Sequence, residues 1–320
     1  MLRSILIYLS QAAWMRRLMM GWKIARKVAL RFVAGETLEQ AVAAVRVLNQ
    51  QGMFATMDML GEHTETPDQA VQTTTGILKI LETIEASGIQ SGLSVKLTQI
   101  GLLIEESLAE ENLLRILKSA AEKNIFVRID MEDSPCVDAT LRIYRKMRHE
   151  HQMDNVGIVI QSCLYRSEKD TADLLAEDTR IRLVKGAYKE PPEVAYPKKA
   201  DVDAAFDRLT KMMLDHAASP DSPAVSDDGR WPPVTAIGSH DKARIDTATA
   251  YANEIGVPKE KVEIQMLHGI RRELQQELAA QGYPVRIYVP YGTEWYPYFM
   301  RRLAERPANL WFFIGSLFRK

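Results

Sequence analysis

Eight short runs of strand character recur along this chain, and helical segments separate them. The runs are Met53–Leu60, Leu93–Leu97, Ile125–Asp130, Val156–Gln161, Ile181–Gly186, Val234–His240, Val262–Leu267 and Arg286–Pro290. Most are largely apolar, and several, such as VGIVIQ (Val156–Gln161), are rich in β-branched residues. Between them lie segments with apolar residues at helical spacing, such as Gln69–Glu85, Glu105–Glu122 and Ala200–His216. Strand and helix in alternation imply parallel strands with helical crossovers. Eight such units predict a (β/α)8 TIM-type barrel, a fold of roughly 250 residues. The chain has 320, and the excess is expected at its ends. The predicted division is an N-terminal helical arm over 1–50, the barrel over 51–308 and an amphipathic C-terminal helical tail over 309–320. Thr37–Gln50, in the arm, reads as a covering helix. No Gly-x-Gly-x-x-Gly follows any run, so a dinucleotide-binding domain of the open-sheet kind has no support.

Charge and cysteine usage narrow the class. The net charge of -1 gives no reason to expect a nucleic-acid partner. Cys136 and Cys163 form no CxxC pair, so neither a disulfide framework nor a cysteine metal site is expected, and a cytoplasmic, reducing setting is the default. His149 and His151 sit in a charged run before the fourth strand and read as a solvated helix end, so no metal is expected. No apolar run is long enough to span a bilayer. Residues 1–35 hold seven Lys/Arg and no acid. That composition suits a basic arm lying on the main domain, on a partner or on an anionic membrane surface, with a mitochondrial-type targeting segment as an alternative. In the tail, Leu310, Phe313, Ile314, Leu317 and Phe318 form one apolar helical stripe, suited to packing on the barrel or to a partner or membrane contact.

In a barrel of this kind the chemistry sits where the strands end. Lys96, Asp130, Gln161, Arg182, Lys185, Ser239, His240, Gln265 and Tyr288 are polar groups on or at the ends of seven of the eight runs. Buried polar groups cost free energy unless paired, so a packed core gives no reason for them. Gly186 would let a flat ring approach the backbone. After the eighth run, Trp295–Glu305 reads as a helix on which Tyr298, Arg301, Arg302 and Glu305 lie on neighbouring faces. Paired guanidinium groups suit a carboxylate or phosphate. The cations Lys96, Arg182, Lys185, Arg301 and Arg302 suit an anionic substrate and an electron-rich cofactor such as a flavin. Blander readings stand beside these: a solvated Arg–Arg face, a helix-capping His240, and a Lys96 that only pairs with Asp130. Rival functions are a Schiff-base lyase with Lys96 or Lys185 as nucleophile, another flavin barrel, or a partner-binding barrel.

Several blocks, in order, resemble the proline dehydrogenase family. They are MDMLGEH (Met57–His63), SVKLTQIG (Ser94–Gly101), VRIDMEDS (Val127–Ser134), RLVKGAYKEP (Arg182–Pro191), EIQMLHG (Glu263–Gly269), and RIYVPYG followed by YPYFMRRLAERPAN. The resemblance implies a flavoprotein barrel that oxidises L-proline to Δ1-pyrroline-5-carboxylate by hydride transfer from C5 to N5 of FAD. It implies electrons passed to a membrane quinone and a peripheral contact with the inner membrane face. Arg301, Arg302 and Lys96 would bind the carboxylate, and Tyr288 and Tyr298 would pack on the ring, Tyr288 favouring unsubstituted proline. Asp130 and Arg182 would be the polar pair at the reacting centre. Met131, Gln161, Arg182, Lys185, Gly186 and Ala187 would line the flavin, with Ser239 and His240 on the adenosine or pyrophosphate side. Glu62 would pair with Arg301 as a gate. Relatives also occur fused to an aldehyde dehydrogenase. None is expected here, so a separate pyrroline-5-carboxylate dehydrogenase would take the product. The irregular loop Ala217–Pro233 is expected near the adenosine side.

Overall fold

The computed structural model describes residues 29–61 and 64–305. Eight parallel strands close into a barrel in chain order. They are β1 (Phe54–Met59), β2 (Ser91–Val95), β3 (Val127–Ile129), β4 (Val156–Gln161), β5 (Ile181–Val184), β6 (Thr235–Gly238), β7 (Val262–Leu267) and β8 (Val285–Tyr291). The helices are α1 (Leu38–Gln50), α2 (Pro67–Ser87), α3 (Glu106–Glu122), α4 (Val137–Arg145), α5 (Ser167–Ala176), α6 (Lys199–Ala217), α7 (Lys242–Glu254), α8 (Arg272–Ala280) and α9 (Trp295–Glu305). The barrel predicted from the alternation is the fold that forms.

Local chemistry explains where elements begin. Thr37 and Gln40 make a reciprocal capping box that starts α1. Thr66 caps α2, Pro67 opens it, and Gly88 ends it in the left-handed conformation. On α2, Ile77, Ile80, Leu81 and Ile84 are all buried. Their spacing is one helical stripe against the sheet. The helix α1, placed in the arm by the division at residue 50, packs on β1 and β8. Just before it, Ala34 N donates to Pro290 O at 2.8 Å and Gly35 O accepts from Gly292 N at 3.0 Å. Residues 1–28 of the arm and the tail from 306 onward lie outside the described residues. Among the described residues no helix is long and apolar enough to cross a membrane. Nor do they bring three His, Cys, Asp or Glu side chains together as a metal site.

Several strands stop earlier than their composition suggests. β3 ends at Ile129, β5 at Val184 and β6 at Gly238. Asp130, Lys185, Gly186, Ser239 and His240 therefore lie one or two residues past the ladder, at the mouth. These residues are polar or glycine, and two of them still bond to the neighbouring strand, Asp130 N to Val95 O at 2.9 Å and Ser239 N to Gln265 O at 3.1 Å, so each run passes from the sheet into the mouth.

The barrel interior is unusual for its polarity. Arg128 on β3, Arg182 on β5 and Arg286 on β8 are each at most 5% exposed. Glycines on neighbouring strands make room for two of them. A Cβ on Gly157 would strike the Arg128 guanidinium, and one on Gly238 would meet Arg182 Cγ. Arg286 pairs with Glu263 through two bonds of 2.9 Å each, both residues being fully buried. Its remaining donors reach Ala55 O at 3.0 Å and Gly229 O at 2.9 Å. Glu263 also accepts from Gln265, which in turn accepts from Arg182 Nε. A continuous buried relay thus joins Arg182, near the mouth, to the base of the barrel.

The loop between α6 and β6 corrects one expectation. It is not on the adenosine side. Helix-to-strand connections lie at the N-terminal ends of the strands, opposite the active-site face. There Trp231 packs on Phe126 with ring centroids 5.6 Å apart and donates through Nε1 to Asn124 at 2.8 Å. Arg230 Nη1 donates to Lys123 O at 3.1 Å. The loop closes the base of the barrel.

Candidate active site

Four of the residues singled out from sequence meet at the mouth, around Asp130. Its Oδ1 accepts from Ser94 Oγ at 2.8 Å and from Arg182 Nη1 at 2.9 Å. Its Oδ2 accepts from the Tyr288 hydroxyl at 2.7 Å and from Lys96 Nζ at 3.2 Å. Lys96 also donates to Asp58 Oδ1 at 2.8 Å and to the Tyr288 oxygen at 3.1 Å. An ammonium has three N–H donors, and these three oxygens match them. The guanidinium of Arg182 lies 5.4 Å from the centroid of the Tyr288 ring.

Burial and mutual charge set the protonation of this cluster. Burial disfavours the charged form of Lys96, but Asp58, Tyr288 and Asp130 outweigh it and lift its pKa well above the usual lysine range. Burial also pushes Asp130 up, yet Lys96, Arg182 and the hydroxyl donors bring it below the usual carboxylate value. Asp58 moves the other way. Burial dominates, Asp130 adds repulsion, and its pKa is raised despite Lys96. Burial and the two carboxylates hold the Tyr288 phenol well above its normal value, so it stays a donor. A lysine locked as ammonium cannot attack a carbonyl. Lys185, the other lysine of the lyase reading, is held between Asp203 at 2.5 Å and Asp241 at 2.7 Å.

Asp58 and Ser94 escaped the sequence reading. Asp58 stands between two methionines in an apolar strand, and its side chain is 1% exposed. The signal was available: an acid inside MFATMDML has no place in a core unless paired. Glu132 was also missed. It accepts from Thr98 N at 3.1 Å and Thr98 Oγ1 at 2.6 Å, bracing the loops after β2 and β3.

The residues expected to line a flavin form the rim from β3 to β6. Gln161 Nε2 donates to Glu132 O at 2.8 Å. Met131 is buried beside it in sequence, while the Lys185–Gly186–Ala187 turn is half-exposed. Gly186 has φ +106°, and a Cβ there would run into Cys163 Sγ and approach Gln161. Ser239 Oγ accepts from Asp241 N at 3.1 Å, and His240 Nε2 accepts from Leu267 N at 2.8 Å. His240 therefore carries its proton on Nδ1 when neutral. Asp241 caps α7. This donor set fits a flavin: a cation in Arg182, an amide in Gln161, and backbone opened by a glycine. Gly186→Ala is expected to cost about 1–3 kcal/mol, from the left-handed backbone and the clash. It should also lower the flavin-to-protein absorbance ratio of the purified protein. An unchanged ratio and melting temperature would remove Gly186 from the rim.

On α9, Tyr298 is buried and the Arg302 guanidinium lies 5.1 Å over its ring. Arg301 is on the same helix, but its side chain lies outside the described ones, as does Glu62. The structure therefore brings Lys96, Asp130, Arg182 and Tyr288 into one network, and Tyr298 with Arg302 into another.

The proline dehydrogenase family profile matches residues 41–313. The chain belongs to the proline dehydrogenase family. Over the full length of both chains it is 40% identical to proline dehydrogenase 1 of Bacillus subtilis (strain 168). It is also 40% identical to the proline dehydrogenase of Deinococcus radiodurans, across 93% of this chain and 91% of that one. In fold it resembles proline utilization A (PutA) from Bdellovibrio bacteriovorus, with a TM-score of 0.78 and 24% identity. That match covers 88% of this chain and 33% of the other, so the chain spans about a third of that protein. Membership of the proline dehydrogenase family makes the chain an oxidoreductase of proline catabolism.

Proposed function

We propose that the protein oxidises L-proline to Δ1-pyrroline-5-carboxylate with FAD, transferring a hydride from C5 to flavin N5. The observation that carries this reading is the Lys96–Asp130–Arg182–Tyr288 network at the mouth, beside the rim opened by Gly186. When bound, the flavin would supply the hydride acceptor, and Arg182 would be the cation that stabilises its reduced, anionic form.

The rest of the reaction falls to the protein's own groups. Arg301 and Arg302 take the carboxylate, and their helix starts four residues past β8, so the clamp is tied to the strand that carries Tyr288. Lys96 adds positive field to that clamp. Its three donors are already matched, so a direct bond to the substrate requires it to give up one of them. Tyr288 and Tyr298 pack on the pyrrolidine ring and fix its distance and angle, which supplies much of the rate. Positive charge develops at the ring nitrogen as C5 loses its hydride, and the Asp58 and Asp130 carboxylates lie in the same network to stabilise it. The amine must be uncharged for transfer. Among the described residues no side chain is placed as an evident base, and solvent serves. By the family resemblance, Glu62 would pair with Arg301 as a gate over the ring. Electrons leave to a membrane quinone through a peripheral contact, and a pyrroline-5-carboxylate dehydrogenase activity consumes the product.

Steady-state turnover with a dye acceptor tests the carboxylate clamp. L-Proline is expected to turn over, whereas L-prolinamide, which lacks the anion, should lose about two orders of magnitude in kcat/KM, in keeping with loss of a charge-assisted pair. Equal turnover of the two would exclude the arginine clamp.

A further inference from the structure

The base of the barrel holds a cationic cavity at the opposite end from the mouth. Four of its lining side chains are Arg128, Arg182, Arg230 and Arg286, and none is acidic. The nearby carboxylates are committed elsewhere. Glu263 is paired with Arg286, and Asp130 with Arg182. Arg128 is 2% exposed and has no carboxylate within ion-pair distance among the described residues. Its Nη1 donates to Ile158 O at 3.0 Å and to Arg180 O. Its Nη2 is buried without a hydrogen-bond partner. Burial, then repulsion from Arg182 and from Arg286, drives the pKa of Arg128 well below the usual arginine value, opposed by Glu263. On its other side the guanidinium stacks 5.0 Å over Phe126, which neutralises none of its charge. A buried charge of this kind requires a counterion or a hydrogen-bond acceptor.

We propose that this cavity is a binding site for one small monovalent inorganic anion of halide class, held by Arg128 Nη2 within the ring of arginines. The cavity is small and is lined also by Arg230 and Pro232, so a small ion fits it better than a larger oxyanion or a carboxylic acid. The relay Arg286–Glu263–Gln265–Arg182 runs from the same cavity to the mouth. The anion is therefore a structural counterion of the barrel, distinct from the substrate carboxylate. This assignment does not depend on the substrate reading.

Bromide is the probe. Crystals of the flavin-loaded, full-length protein grown in sodium bromide are expected to show an anomalous peak within hydrogen-bond distance of Arg128 Nη2. Water or no density there would overturn the proposal. In solution, chloride or bromide should raise the melting temperature by several degrees over gluconate at matched ionic strength, and Arg128→Gln should lose that increment. An increment that persists in Arg128→Gln would place the ion elsewhere and overturn the site. Should Arg128→Gln fail to fold, the bromide crystal of the unaltered protein still decides.

Discussion

Replacing Asp130 with alanine is expected to lower kcat/KM for L-proline by about three orders of magnitude. Asp130 is the acceptor for four donors: Ser94, Lys96, Arg182 and Tyr288. Removing it leaves two cations and two hydroxyls without that partner in a buried setting. A hydrogen bond to a charged group is worth about 1.5–3 kcal/mol, and two such bonds misplaced together account for the loss. The damage should fall on kcat more than on KM, because Arg182 and Tyr288 lose their positions while the arginines of α9 are untouched. The pH dependence has a definite sign. Asp130 has a lowered folded pKa. Its stabilisation is present above the unfolded carboxylate value and is lost as pH falls through the folded value. The stability gap between the unaltered protein and Asp130→Ala should therefore narrow in acid. Kinetics and thermal melts across pH give both readings. A variant that keeps its kcat would remove Asp130 from the reacting centre.

Lys96→Met should be the most destabilising of the site variants, by about 3–5 kcal/mol at neutral pH. Methionine preserves the stem but leaves Asp58 and Asp130 facing each other in a buried site without the cation between them. Asp58 already has a raised pKa through burial and Asp130, and loss of Lys96 raises it further. A carboxyl group with a raised folded pKa binds more protons folded than unfolded. Stability then falls as pH rises from the unfolded value through the folded one. Lys96→Met should thus approach the unaltered protein near pH 5 and fall away from it by pH 8. Equal destabilisation at both pH values would mean that Asp58 does not carry the proton. Lys96→Met, Asp58→Asn should recover part of the lost stability, since the extra buried charge is gone.

The barrel was legible because both faces of a parallel strand are covered. Each strand then reads as an apolar run, as VGIVIQ and VEIQML do. The mouth was legible for a related reason: Lys96, Asp130 and Gln161 break those runs at or near their ends, and Tyr288 stands within the last one. Asp58 broke its run as well, but its apolar neighbours in MDML named no partner for it. The pairing of β1 with β2 brings it to Lys96, and the closure of β8 onto β1 brings Tyr288 to the same ammonium. Arg128 and Arg286 were passed over as strand residues. Their meaning depends on contacts across the barrel, where Gly157 leaves room for one and Glu263 pairs with the other. The loop before β6 was misplaced by its nearness in sequence to Ser239. Topology alone puts a helix-to-strand connection at the other end of the barrel, and Trp231, Arg230 and Gly229 are found there.

The most direct test of the central claim is an anaerobic titration of the purified, flavin-loaded protein with L-proline, followed in the visible spectrum. The account predicts flavin bands that bleach with L-proline and are unchanged by D-proline. Bound flavin that fails to bleach would contradict the substrate assignment, and failure to retain FAD after reconstitution would contradict the cofactor rim built from Gln161, Gly186 and Arg182.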